Sequence, residues 1–69
     1  MKVYLVMHRH STYDNDEVTV DRIFDSEEKA KQYIEATYSS FTYDTECDVW
    51  LYEDTYTTFR VWFEEWEAQ

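Results

Sequence analysis

"DVWLYEDTYTTFRVWFEEWE", residues 48–67, carries seven aromatic and six acidic side chains around a single arginine, Arg60. Apolar and polar residues alternate on either side of "EDTYT" (residues 53–57), and a period of two marks a β-strand with two distinct faces. Cys47, Val49 and Leu51 alternate with Asp48, Trp50 and Tyr52, which predicts a strand over residues 46–52. Phe59, Val61 and Phe63 alternate with Arg60, Trp62 and Glu64, which predicts a further strand after the turn. The smaller aliphatics and the phenylalanines suit packing under a helix, with Cys47 among them, because free cysteine is one of the most buried residue types. Trp50, Tyr52 and Trp62 then point the other way, joined by Tyr4 and Val6 from the first strand.

Upstream, "KVYLVMHRH" (residues 2–10) alternates Val3, Leu5 and Met7 with Tyr4, Val6 and His8 and reads as a strand. "TYDNDE" (12–17) is a turn, and "VTVDRIF" (18–24) returns as a second strand, completing an N-terminal hairpin. "DSEEKAKQYIEATYSSF" (25–41) is the one helical segment. Asp25 or Ser26 caps it, Asp25 and Glu28 have capping-box spacing, and Glu27 and Glu28 suit the positive end of the helix dipole. Ala30, Tyr33, Ile34, Thr37, Tyr38 and Phe41 form its apolar stripe, and the helix is expected to end near Ser39-Ser40. Glycine and proline are absent, so the turns rest on Asn, Asp, Ser and Thr. The expected fold is α+β: a four-stranded, mainly antiparallel sheet with one helix on one face, in the order ββαββ, as a single domain over residues 1–69.

The opening "VYLVMH" and the entry into the helix through "IFDSEEKAKQYIE" resemble a group of small uncharacterised bacterial and phage domains. In those domains a β-hairpin likewise ends in a Phe/Tyr-Asp/Ser-Ser-x-Glu-x-Ala joint. The resemblance covers about residues 2–36 and implies a ββα start in a bacterial or phage, cytoplasmic setting. It implies no activity.

A 69-residue chain has a marginal core, and proteins this short usually add a disulfide, a metal or a partner subunit. One cysteine excludes an internal disulfide and fits a reducing compartment. No apolar run is long enough for a signal segment or membrane span, and Met1-Lys2 leads straight into the first strand, so a complete cytoplasmic protein is expected. The formal charge of -10 coexists with 20% aromatic residues, a combination that predicts a folded, acidic protein rather than a disordered one. Direct DNA or RNA binding is not expected, because a Lys/Arg patch is missing. The acids are concentrated: residues 1–34 hold seven acids and five bases, residues 35–69 nine acids and Arg60 alone.

Sequence motifs for catalysis are weak. His8 and His10 share one side of a strand, but no third ligand has metal-binding spacing with them, so neither metal nor cofactor is expected. Glu46 and Asp48 disfavour a Cys47 thiolate, and phosphate-cradling loops need glycine. The expected protein is not an enzyme. Its leading function is inhibition of a basic, nucleic-acid-binding partner, as in phage anti-defence or anti-CRISPR proteins. Asp44, Glu46 and Asp48 at i, i+2 and i+4, followed by Glu53, Asp54, Glu64, Glu65 and Glu67, would imitate a row of phosphates, since alternate strand residues lie about 6–7 Å apart on one side. Trp62 and Trp66 would be buried anchors in that interface. The alternatives are a homo-oligomeric structural domain with incidental acidity and a small-ligand binder using the aromatic sheet face. Apolar exposure also predicts a symmetric homodimer through Tyr4, Trp50, Tyr52 and Trp62.

Overall fold

Strands β1 (Lys2–Thr12) and β2 (Asp16–Phe24) form the expected hairpin, in a computed structural model that describes residues 1–67. Its turn is closed by the Thr12 N–H donating to the Asn15 carbonyl at 2.7 Å. Arg9 donates from Nε and Nη2 to the two Asp16 carboxylate oxygens at 2.9 and 2.5 Å, and Ser11 donates to the same carboxylate. The register slips once. Val6 faces Arg22 but Met7 faces Val20, leaving Asp21 as the extra residue of a β-bulge.

Helix α1 (Glu27–Thr37) begins as its sequence dictates, with the Ser26 hydroxyl accepting from the Lys29 N–H at 3.1 Å. Lys29–Asp25 and Lys31–Glu27 add i,i+4 ion pairs on the exposed side. Tyr38 leaves the helical conformation and ends the helix, before Ser39-Ser40. The chain continues through β3 (Thr42–Asp44), β4 (Val49–Glu53) and β5 (Thr57–Glu67). All pairings are antiparallel in the spatial order β2-β1-β5-β4-β3, so the last strand returns to the centre beside the first.

The α+β class and the single helix stand, but the sheet has five strands in the order ββαβββ, not four in ββαββ. The expected strand over residues 46–52 is cut short by its own side chains. The Asp44 carboxylate accepts from the Glu46 and Cys47 N–H groups at 3.0 and 3.4 Å, and the Asp48 N–H closes onto the Asp44 carbonyl at 2.9 Å. Asp48 then adopts a left-handed φ of 56°, a conformation Asp and Asn tolerate better than most residues. Residues 45–48 are therefore a turn, β4 starts at Val49, and the short strand β3 before the turn pairs back on it. Cys47 is exposed on this turn rather than part of the core.

Helix α1 lies over β1, β2 and β5. Ala30 and Ile34 meet Val6, Trp50 and Val61, all buried, and Tyr4, Phe24, Tyr33, Tyr38, Phe41 and Phe63 close around them. The bulge has a task here. Asp21 accepts from both Tyr33 and Tyr38 hydroxyls, at 2.8 and 2.7 Å, and so ties the apolar stripe to the edge strand.

Burial, and after it the bond to Asp21, pushes the Tyr38 hydroxyl well above the usual tyrosine range. A group whose pKa is raised by folding adds stability that is complete below its unfolded value, about 10 for tyrosine, and is lost as pH rises beyond it. The melting temperature of the parent should therefore fall more steeply above pH 10 than that of Tyr38→Phe. Parallel curves for the two proteins would show that this hydroxyl does not couple folding to pH. At the acid end, bonds from Arg9 and then Ser11 lower the Asp16 carboxyl to about 2. That contribution is present above the unfolded aspartate value of about 3.9 and disappears as pH falls toward 2.

Candidate functional site

Register assigns every strand residue to a face. Tyr4, Val6, His8 and His10 of β1 share the helix side with Phe59, Val61 and Phe63 of β5, and Trp50 and Tyr52 of β4 face Val61 and Phe59. The expected partition is thus corrected on β1 and β4. Tyr4, Val6, Trp50 and Tyr52, placed on the open face by their alternation, lie on the helix-covered face, where Val6 is fully buried and Trp50 only 6% exposed. Val49 and Leu51, expected under the helix, face away from it. Of the residues proposed for a dimer face, Trp62 alone lies on the uncovered side.

The helix side continues beyond α1 as an aromatic cluster. His10 stacks on Phe59 with centroids 4.7 Å apart, Phe41 lies 5.0 Å from Tyr38 and 5.5 Å from Tyr52, and His8 lies 5.7 Å from Phe59. The two histidines are packed against rings, and no cluster of three or more metal-ligating side chains forms among the described residues. No cavity opens among them either.

The uncovered side is the unusual surface. Its central row runs Val20, Met7, Trp62 across β2, β1 and β5. The row toward the β1–β2 turn is Val18, Arg9, Arg60, Leu51, and the row on the other side is Ile23, Leu5, Glu64. Val3 and Trp66 follow. Val18 is 52% exposed, Val20 49%, Ile23 61% and Trp66 54%, far above what folded β-branched and aromatic residues need as solitary surface positions. Sequence reading missed Val18, Val20 and Ile23 as a surface. The available signal was β1 itself, which is apolar at both odd and even positions and so must be lined on both faces.

The acids fall into two groups rather than one row. Asp44, Glu46 and Asp48 sit at and within the β3–β4 turn, so they do not line one side of a strand as expected. Antiparallel pairing brings that turn to the same end of the sheet as Glu64, Glu65 and Glu67. Glu65 accepts from the Tyr4 hydroxyl at 3.0 Å and pairs with Lys2, while Glu67 pairs with the terminal amine. Asp48 accepts from the Tyr43 hydroxyl. Glu53 and Asp54 lie at the opposite end, level with Asp14, Asp16 and Glu17 of the hairpin. Glu64 faces the uncovered side and Glu65 the helix side, so consecutive acids on β5 serve different surfaces.

The described residues thus form a small antiparallel sheet with one face covered by the helix, one apolar open face and acidic ends. The chain belongs to the family described as a domain of unknown function, DUF7336, whose model matches residues 1–63. No curated protein and no solved structure matches it.

Proposed function

We propose that this domain is a non-enzymatic binding protein that occupies a basic surface on a nucleic-acid-binding partner and thereby inhibits it, in the manner of phage anti-defence proteins. The observation that carries this reading is the placement of the acids at both ends of one rigid sheet. Glu53, level with Thr58, and Glu65 and Glu67 are seven to nine residues apart along β5, roughly 23–30 Å at strand rise. That approaches the about 34 Å turn of a DNA duplex, and the body measures 40 × 22 × 21 Å. Two negative poles at this spacing suit a partner whose Lys/Arg groups track a nucleic-acid backbone. The cytoplasm of a bacterial cell is the compartment where such a partner is met. No helix of the described residues is long and apolar enough to cross a membrane.

Binding of this kind weakens as salt rises, because the partner's cations are neutralised by fixed charges. Immobilised domain should capture basic proteins from a bacterial lysate at low salt, release them along a salt gradient, and lose them to DNA or RNA competitor. Glu46→Gln with Asp48→Asn at one pole, or Glu53→Gln with Asp54→Asn at the other, should each slow association about tenfold at low salt with little change in dissociation, since exposed charges act mainly through steering. Neutralised variants that capture and inhibit as well as the parent at physiological salt would overturn the proposal.

A further inference from the structure

Arg60 is the one Lys or Arg side chain among the described residues with neither an acidic partner nor an aromatic ring. Lys2, Arg9, Lys29 and Lys31 pair with Glu65, Asp16, Asp25 and Glu27, and Arg22 lies over the Tyr33 ring at 5.7 Å. Arg60 instead faces Arg9 directly across the β1–β5 ladder, an unfavourable like-charge pair that the Asp16 carboxylate beside Arg9 only half neutralises. Glu64, on the same uncovered face of β5, has no cationic partner among the described residues either. The two stand symmetrically about Trp62, two residues to each side, in the middle of an exposed apolar surface.

We propose that the uncovered face binds a second copy of this chain, the two sheets stacking with opposed strand directions about a two-fold axis that crosses β5 at Trp62. A two-fold axis lying between the sheets and perpendicular to the strands keeps each strand over its own counterpart and reverses its direction. A residue two places before Trp62 then meets the residue two places after it in the other copy. Arg60 meets Glu64 of the second copy and Glu64 meets its Arg60, giving two equivalent ion pairs, as an isologous interface demands. The same operation sets Val18 against Ile23, apolar on apolar, and places Arg9, held by Asp16, over Leu5. Sheets pack about 10 Å apart, a gap that an arginine and a glutamate span together. Four strands over the eleven residues of β1 and β5 present up to about 700 Å² in projection, near the roughly 800 Å² that each partner contributes to a stable interface. Apart from Glu64, which enters the ion pairs, the acids of the two poles lie at the strand ends, on the helix side or in turns, at the rim of the stacked area. This assembly is independent of any basic partner, and salt separates the two: screening the charge of -10 on each chain favours self-association, whereas it weakens capture of a basic protein.

Sedimentation velocity at high micromolar concentration should show a species of twice the chain mass, more populated at moderate than at low salt. Arg60→Glu alone and Glu64→Arg alone each place two like-charge pairs in the interface and should raise the dissociation constant about 100-fold. An equimolar mixture of the two variants sets the two acids of the Arg60→Glu copy against the two arginines of the Glu64→Arg copy, so mixed dimers regain both ion pairs and the mixture should dimerise like the parent. The double variant Arg60→Glu/Glu64→Arg carries both changes in one chain, regenerates both pairs between copies and should dimerise like the parent. Circular dichroism confirms that each variant is folded, and Trp62→Lys gives a second disruption that does not depend on the ion pairs. A parent that is monomeric across the salt range would overturn the proposal and leave this face to a different protein. Single variants that dimerise like the parent would equally overturn it.

Discussion

Ile34→Ala is expected to lower the stability of the domain by about 2–5 kcal/mol, the range for truncating a fully buried aliphatic side chain. Ile34 is completely buried and sits on helix α1, against Val6 of β1 and Val61 of β5. At about 0.05–0.15 kcal/mol per residue, a 69-residue chain holds roughly 3–10 kcal/mol in total. The substitution therefore removes at least about a fifth of the whole, and over most of that range leaves a large unfolded fraction at physiological temperature. A single small core explains the severity: among the described residues only Val6, Ala30, Ile34, Trp50 and Val61 are buried, so no second buried cluster holds the helix down. Urea titration followed by far-ultraviolet circular dichroism measures the effect, and Ile34→Val, which removes one methyl group, should cost only about 0.5–1.5 kcal/mol. A loss for Ile34→Ala under about 1 kcal/mol would mean that the sheet is stable without its helix.

Trp50→Ala is expected to be as damaging, about 3–5 kcal/mol, while Trp66→Ala should change stability by less than about 1 kcal/mol. The two residues are both tryptophans on strands, yet Trp50 is 6% exposed under the helix side and Trp66 is 54% exposed on the open face. Trp50 packs beside Tyr43 with centroids 4.8 Å apart and opposite Val61, so its removal opens a void the short strand β3 cannot fill. Trp66 lies opposite Val3 near the end of β5, where water replaces it. Thermal melts of both variants decide the matter. Equal destabilisation would show that the open face is covered in solution even for the isolated chain, by the second copy argued above. Fluorescence adds a check, since loss of Trp50 should remove the emission of the most buried indole.

The acidic surface has a simpler energetic signature than either tryptophan. Most of its carboxylates lack a nearby cation among the described residues, and those that have one, such as Asp25, Glu27 and Glu65, form exposed pairs worth little. Their meaning lies in position. The poles formed by Glu53 with Asp54 and by Glu64 with its neighbours exist because β4 and β5 are joined by the tight turn at Asp54–Thr57, closed by bonds of 2.8 and 3.4 Å between those residues.

Local elements were legible in the residues because their causes are local. Ser26 caps the helix, Ala30 and Ile34 fall on its buried stripe, and the Asn15 turn joins two alternating strands, each a property of a few neighbouring residues. The shortened strand at Val49 also had a local cause, the Asp44 side chain bonding its own following backbone, but alternation through Cys47 and Asp48 masked it. Composition likewise determined that the protein is folded, acidic and without an internal disulfide. Which face of each strand the helix covers was decided only by the tertiary structure. Alternation separates two faces on each strand without saying how the faces of different strands align. That alignment comes from register: Trp50 opposite Val61 turns β4 over relative to the expected arrangement, and the bulge at Asp21 shifts Val20 and Val18 onto the same side as Ile23. A slip of one residue exchanges every side chain between core and surface. The pairing of distant strands, and the burial that selects it, therefore moved Tyr4, Val6, Trp50 and Tyr52 to the helix-covered face and left Arg60, Trp62 and Glu64 on the open face.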